Sequence, residues 1–142
     1  MYIYIILFQI SPGNAMQKKI LLIDDDHGAL DLLELFLYKE YEVITALNGF
    51  EGLTRAEKEL PDLITTDITM PVMDGIRFKN RAAKSDALRH VPIIAVTSFA
   101  GNATDKSLLN LGFCGVVAKP IEKEPVLKAV AEALAAAKKA KG

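Results

Sequence analysis

Between Lys18 and Ala135 the sequence alternates, five times over, a short apolar run with a longer segment of helical period. Ile20-Leu21-Leu22-Ile23 is apolar at every position, as a strand buried on both faces must be. Ala29 to Glu40 then sets Ala29, Leu33, Phe36 and Leu37 along one side of a helix. Glu42 to Ala46 is a second strand, built on the β-branched Val43, Ile44 and Thr45. Asn48-Gly49 turns the chain, and Phe50, Leu53, Ala56 and Leu60 make a helical stripe that Pro61 stops. Leu63 to Thr66 is the third strand and ends at Asp67. Ile76 to Lys84 reads as a helix with the basic outer residues Arg77, Lys79, Arg81 and Lys84, a solvated face. Pro92 to Val96 and Val116 to Ala118 are the fourth and fifth strands, separated by a helix over Thr104 to Leu111 that Gly112 closes. Pro125 sits in the first turn of the last helix, where its missing N–H costs nothing, and Leu127, Val130 and Leu134 give that helix its buried face. The Ala- and Lys-rich end, Ala135 to Gly142, is expected to fray. Such alternation specifies a doubly wound α/β sheet with parallel strands and right-handed crossovers.

The chain has 142 residues, enough for one domain. Lys and Arg number 17 against 18 Asp and Glu, a balance that gives no reason to expect nucleic acid or an anionic membrane as partner. The single cysteine, Cys114, excludes an intrachain disulfide or a Cys-rich zinc site and suits a cytoplasmic protein. Cys114 itself is expected to be a small core residue beside Gly115. The run Met1 to Ile10 is apolar but about half the length of a membrane-spanning helix. It lacks the basic start of a secretory signal. Met16 is therefore read as the natural start, with residues 1–16 an apolar extension and residues 17–142 the folded domain. The alternative is a strand that contacts membrane or pairs with itself.

In an open parallel sheet the site forms beyond the carboxyl ends of the strands, where strand order reverses. Asp24, Asp25 and Asp26 follow the first strand, Asp67 the third, Thr97 and Ser98 the fourth, and Lys119-Pro120 the fifth. Converging carboxylates repel one another and must be protonated or neutralised. A hard divalent cation answers that need, because Mg²⁺ takes oxygen ligands and tolerates one or two carboxylates together with phosphate oxygens. The same acids argue against a flavin or dinucleotide site, which presents Gly-rich amides to an anion. Asp26 and His27 are expected to start the first helix, and Met70 and Met73 to pack the loop.

Asp24-Asp25, the element Asp67-Ile68-Thr69-Met70-Pro71-Val72-Met73-Asp74-Gly75, Thr97 and Lys119-Pro120 together resemble the response-regulator receiver family, from about Lys18 to the last helix. The resemblance implies a flavodoxin-like (βα)5 sandwich with strand order 2-1-3-4-5. It implies that Asp67 accepts a phosphoryl group from the phosphohistidine of a sensor histidine kinase or histidine phosphotransferase. It further implies that Asp25 and Asp67 ligate Mg²⁺ (or Mn²⁺), with Asp24 acting through water and the Thr69 backbone carbonyl as a further ligand. Lys119 would pair with Asp67 at rest, Thr97 would turn to the phosphoryl group, and Gly75 would serve the turn geometry. Kinase docking would fall on the first helix and the loop after Lys119-Pro120, including Ile121. A downstream protein target is expected, and a homodimer through the fourth and fifth helices is allowed. The chain is thus a switch rather than an enzyme, apart from slow loss of its own phosphoryl group.

One position departs from the family: Val116 stands where many receivers carry an aromatic residue or His. Readout is therefore expected around Ser98 to Gly101, and both Ser98 and Thr69 border the path of attacking water. Two other readings compete. A haloacid-dehalogenase-like phosphatase would need a second acid where Thr69 stands. A receiver-like scaffold would bind its partner regardless of phosphorylation.

Overall fold

A computed structural model describes residues 17–141. The apolar run Met1–Ile10 and the expected start at Met16 lie outside the described residues, as does Gly142. The elements are β1 (Lys19–Ile23), α1 (His27–Leu37), β2 (Glu42–Ala46), α2 (Gly49–Glu59) and β3 (Leu63–Asp67), followed by α3 (Gly75–Ala83), β4 (Ile93–Thr97), α4 (Asn102–Asn110), β5 (Gly115–Ala118) and α5 (Lys123–Lys141). All strand pairs are parallel, in the order β2-β1-β3-β4-β5. That is the doubly wound sheet, and the order, that the resemblance implied. Among the described residues no helix is long and apolar enough to cross a membrane.

Because successive strand side chains point to opposite faces, each strand feeds two cores. Ile20 and Leu22 pack with Leu63, Ile94 and Val96 under α1 and α5. Leu21 and Ile23 pack with Ile64, Ile93 and Ala95 under α2, α3 and α4. Short polar side chains start the helices: Asp26 accepts the Gly28 N–H, Asn48 the Glu51 N–H and Asp74 the Arg77 N–H. Each satisfies one of the N–H groups that a helix start leaves unpaired.

Several expectations shift. Helix α1 ends at Leu37, and the Tyr41 N–H folds back to the Leu37 carbonyl, so Glu40 lies beyond it. In α2 the buried face is Gly49, Gly52 and Ala56, while Phe50 and Leu60 are exposed. The helix is turned so that its glycines meet the sheet. A Cβ on Gly52 would lie 2.5 Å from Ile23 Cδ1, so only glycine lets α2 approach this closely. Leu60 has left the helix, at φ +51°. In α5 the fully buried residues are Val126, Val130 and Ala133, with Leu127 and Leu134 only partly covered, and the helix runs on to Lys141. Lys79 is not wholly solvated, since its chain lies over Gly112, which itself sits at φ +102°. Cys114 is on the surface, not in the core. Its N–H donates to the Ile93 carbonyl as the chain enters the edge strand β5, and the edge leaves the side chain uncovered.

Candidate functional site

The register of the sheet brings the strand-end residues level with one another. Ile23 pairs with Thr66, so Asp24 and Asp67 emerge side by side where the connections diverge on either side of β1. Asp67 pairs with Val96 and Thr97 with Ala118, which puts Thr97 and Lys119 at the same end of the sheet. The Lys119 N–H donates to the Thr97 carbonyl at 2.9 Å, and the Lys119–Pro120 peptide is cis.

Asp24, Asp25 and Asp67 each offer a carboxylate oxygen within 4.8 Å of the others. Asp24 and Asp67 are buried, whereas Asp25 is exposed. The Lys119 ammonium bridges the two buried acids, 2.9 Å from Asp24 Oδ2 and 3.3 Å from Asp67 Oδ2. The pairing with Asp67 that the resemblance implied is present, and the shorter contact is to Asp24. The remaining oxygens are tied to the backbone: Asp24 Oδ1 accepts the Asp26 N–H and Asp67 Oδ1 the Ile68 N–H. Thr97 is buried, and its Oγ1 accepts the N–H of Phe99 at 3.1 Å. Thr69 lies in the loop after Asp67 with its side chain exposed. His27 is the exposed first residue of α1, and Asp26 is that helix's cap, as expected.

Burial, and after it the charge of Asp24, pushes the Asp67 carboxyl above its ordinary range, against the pull of Lys119. For Lys119, burial works to lower the ammonium, but its hydrogen bond to Asp24 and the charges of Asp24 and Asp67 outweigh that and hold it high. Three carboxylates face one ammonium, so the ionised site carries an excess of negative charge. The donors are all hard oxygens clustered at one point, and the charge is in deficit. This set fits a divalent cation of the Mg²⁺ or Mn²⁺ kind and offers no soft ligand to zinc or copper.

The loop that carries Asp67 forward is held from both sides. The Gly75 N–H bonds the Ile68 carbonyl and the Gly49 N–H bonds the Met73 carbonyl, while Met70 and Met73 are buried. Gly75 is needed for space rather than for turn geometry. It has no positive φ, but a Cβ there would lie 2.2 Å from the Asp67 carbonyl oxygen and 3.0 Å from Ile68 Cα. Gly75→Ala must therefore push the loop off the end of β3, an overpacking that costs about 2–3 kcal/mol. Urea unfolding in the presence of a metal chelator checks this, and an unchanged midpoint would remove the steric account.

A family model described as "Response regulator receiver domain" matches residues 20–131. The chemotaxis protein CheY of Halobacterium salinarum is 34% identical over 122 residues, which cover 85% of this chain and 100% of that protein. The response regulator PleD of Caulobacter vibrioides is 35% identical over 108 residues, 75% of this chain but only 24% of PleD. Among solved structures, a CheY-like response regulator receiver domain protein from Methanospirillum hungatei superposes with a TM-score of 0.78 at 31% identity. That match covers 89% of this chain and 99% of that one.

Proposed function

The chain belongs to the response-regulator receiver family, the phosphoacceptor switches of two-component signalling, and on that premise we propose that Asp67 is its phosphoacceptor. Receiver domains of this kind are not broadly enzymes. They bind Mg²⁺ in an acidic pocket, take a phosphoryl group from histidine kinases or phosphotransfer proteins, and act on downstream targets. The phosphatase and scaffold readings are not favoured.

The observation that carries the assignment is the Lys119 ammonium bridging Asp24 and Asp67 beside Asp25. In the transfer, a bond forms between an Asp67 carboxylate oxygen and phosphorus while the bond from phosphorus to the donor imidazole nitrogen breaks. The electron pair leaves with that nitrogen. Asp24, Asp25, Asp67 and the Thr69 backbone carbonyl would hold Mg²⁺ or Mn²⁺. Held there, that cation would supply positive charge against the oxygens of the transferring group. Lys119 supplies a second, fixed positive charge, and the Thr97 hydroxyl a hydrogen bond to the outer oxygens.

For the donor, a shallow surface lined by Asp26, Ala29, Leu32 and Ile121 flanks Lys119, and it supports docking of a histidine-bearing helix pair there. The aspartyl phosphate then decays slowly by attack of water along a path bordered by Ser98 and Thr69, both exposed. Intact mass after incubation with a small-molecule phosphodonor tests the reading. One added phosphoryl group is expected with Mg²⁺ and none with chelator. A gain indifferent to metal, or no gain at all, would remove it.

A further inference from the structure

Helices α2 and α3 pack side by side on one face of the sheet, and cations collect on the surface they turn to water. The neighbours of α3 fix which side is which. Lys79 lies over Gly112, and Ile76 lines the groove toward α4. Arg77, Arg81 and Lys84, at i, i+4 and i+7, therefore form an exposed stripe on the other side, toward α2. Residues 75–84 contain no acid. A Cβ on Gly52 would lie 3.4 Å from the Phe78 ring, so the Gly52 side of α2 is the one that meets α3. Arg55 follows three residues on along that side, and the exposed Lys58 three beyond it. Among the described residues the ion pairs are Lys19–Glu59, Arg89–Asp86 and Lys119 with Asp24 and Asp67, so none of these five cations is paired. Nearby acids are already engaged: Glu59 by Lys19, and Asp74 as the cap of α3. Arg55 is half-buried, and its Nε is shut from water with no hydrogen-bond acceptor. A guanidinium N–H left in that state marks a missing acceptor.

We propose that the α2–α3 face is a docking surface for an acidic helical segment of a partner protein, its carboxylates set against Arg77, Arg81 and Lys84 and one of them forked onto Arg55. The stripe from Arg77 to Lys84 rises about 10 Å at 1.5 Å per residue, which matches three acids one turn apart on a second helix. An arginine fork takes a carboxylate by two parallel hydrogen bonds, and a lysine adds a point charge. The complementarity is local. The whole chain carries a formal charge of −1, so the excess on this face is offset elsewhere on the molecule. A long polyanion such as nucleic acid meets both regions, whereas a short acidic helix lies within a Debye length of the cations alone. The face lies on the opposite side of the sheet from α1 and Ile121, where the phosphoryl donor is assigned, so both surfaces can be occupied at once.

The probe is a fluorescein-labelled Ala/Gln helix with Glu at i, i+4 and i+7, titrated with the full chain and read by anisotropy at low and at physiological salt. The same helix with Lys in place of Glu, and a single-stranded oligonucleotide, are titrated beside it. Saturable binding of the Glu helix is expected, with none of the Lys helix. Arg77→Glu together with Arg81→Glu should weaken it by about tenfold or more, since like charges then face the carboxylates. Arg55→Lys keeps the charge but loses the fork, and should weaken it by about threefold. Lys138→Glu together with Lys139→Glu makes an equal change of charge on the tail of α5, and should leave binding within about twofold. All the residues reversed in charge are exposed, and circular dichroism verifies each fold. Absence of saturable binding would overturn the proposal, as would an equal loss in the α5 tail variant, which would make net charge the cause. An oligonucleotide held more tightly than the Glu helix, and released by the same two arginine substitutions, would overturn it in favour of nucleic acid.

Discussion

Asp67→Asn is expected to take up no phosphoryl group under conditions that label the parent chain, and to unfold less readily than the parent when metal is absent. The first effect follows from chemistry: the amide oxygen of Asn is a poor nucleophile and cannot form the acyl phosphate. The second follows from charge. Asp67 is 8% exposed and faces Asp24, itself 1% exposed, across a single ammonium. Its folded-state pKa stands above the ordinary value, because of burial first and Asp24 second. A carboxyl raised in this way favours the fold while it is protonated, and that contribution is lost as pH rises through the folded-state pKa. Where Asp67 is ionised it therefore strains the metal-free protein, and Asn removes the strain while Lys119 keeps its contact with Asp24. The gain is on the order of 1 kcal/mol, the scale of one like-charge contact at roughly 4 Å under water-like screening. As pH falls, the parent's Asp67 becomes neutral too, so the advantage of Asn must narrow. Thermal unfolding of both proteins in chelator, near neutral and in mildly acidic buffer, measures this. An Asn variant less stable than the parent near neutral pH would show that the site is not strained by charge. Labelling that survived the substitution would place the nucleophile elsewhere.

The layout of this site was largely legible before any coordinates. Strand and helix alternation is written in hydropathy, and β2 falls where Glu42 to Ala46 placed it. Other boundaries moved by a residue or more, as where β4 takes in Thr97 and leaves out Pro92. Because the ends of parallel strands meet in one crevice, the polar residue after each strand marked a site residue, and Asp24, Asp25, Asp67 and Lys119 do converge. Strand order was not legible from periodicity, since pairing is a long-range choice that leaves no local pattern. It came from the resemblance alone.

What hydropathy misread has a common cause. Phe50 and Leu60 look like the buried face of α2, yet glycines at 49 and 52 are buried in their place. A glycine carries almost no hydropathy signal, and its value lies in the closeness of approach it permits. Gly75 was noticed for the wrong reason, because a clash with the Asp67 carbonyl depends on the path of a loop and not on the residue's own φ. The division of Lys119 between two acids was illegible on similar grounds, being decided by a few tenths of an ångström between 2.9 and 3.3 Å. The tether from Phe99 to Thr97 could have been suspected, since a Thr hydroxyl commonly accepts from the N–H two residues on.

Lys119→Met separates the roles that the ammonium combines, and its three effects point in different directions. Methionine keeps an unbranched apolar stem in a side-chain site only 19% exposed, so packing changes little while the charge is lost. In the metal-free protein Asp24, 1% exposed, then loses its cationic partner. Breaking a buried pair from one side costs roughly 3–5 kcal/mol. Mg²⁺ should bind more tightly to the variant, by several-fold, because a competing cation has left the carboxylates and nothing has replaced it. The metal should accordingly recover more stability in the variant than in the parent. Phosphoryl uptake from a small-molecule donor should nevertheless slow by about 10²–10³, the usual scale for losing one fixed charge or donor at a developing oxyanion. Unfolding with and without Mg²⁺, metal titration and the rate of mass gain read the three effects on one pair of proteins. Uptake that slows only because the metal binds poorly would mean that Lys119 organises the metal site. Uptake that slows while the metal binds better assigns Lys119 to the transferring phosphoryl group itself, even though at rest it sits nearer to Asp24 than to Asp67.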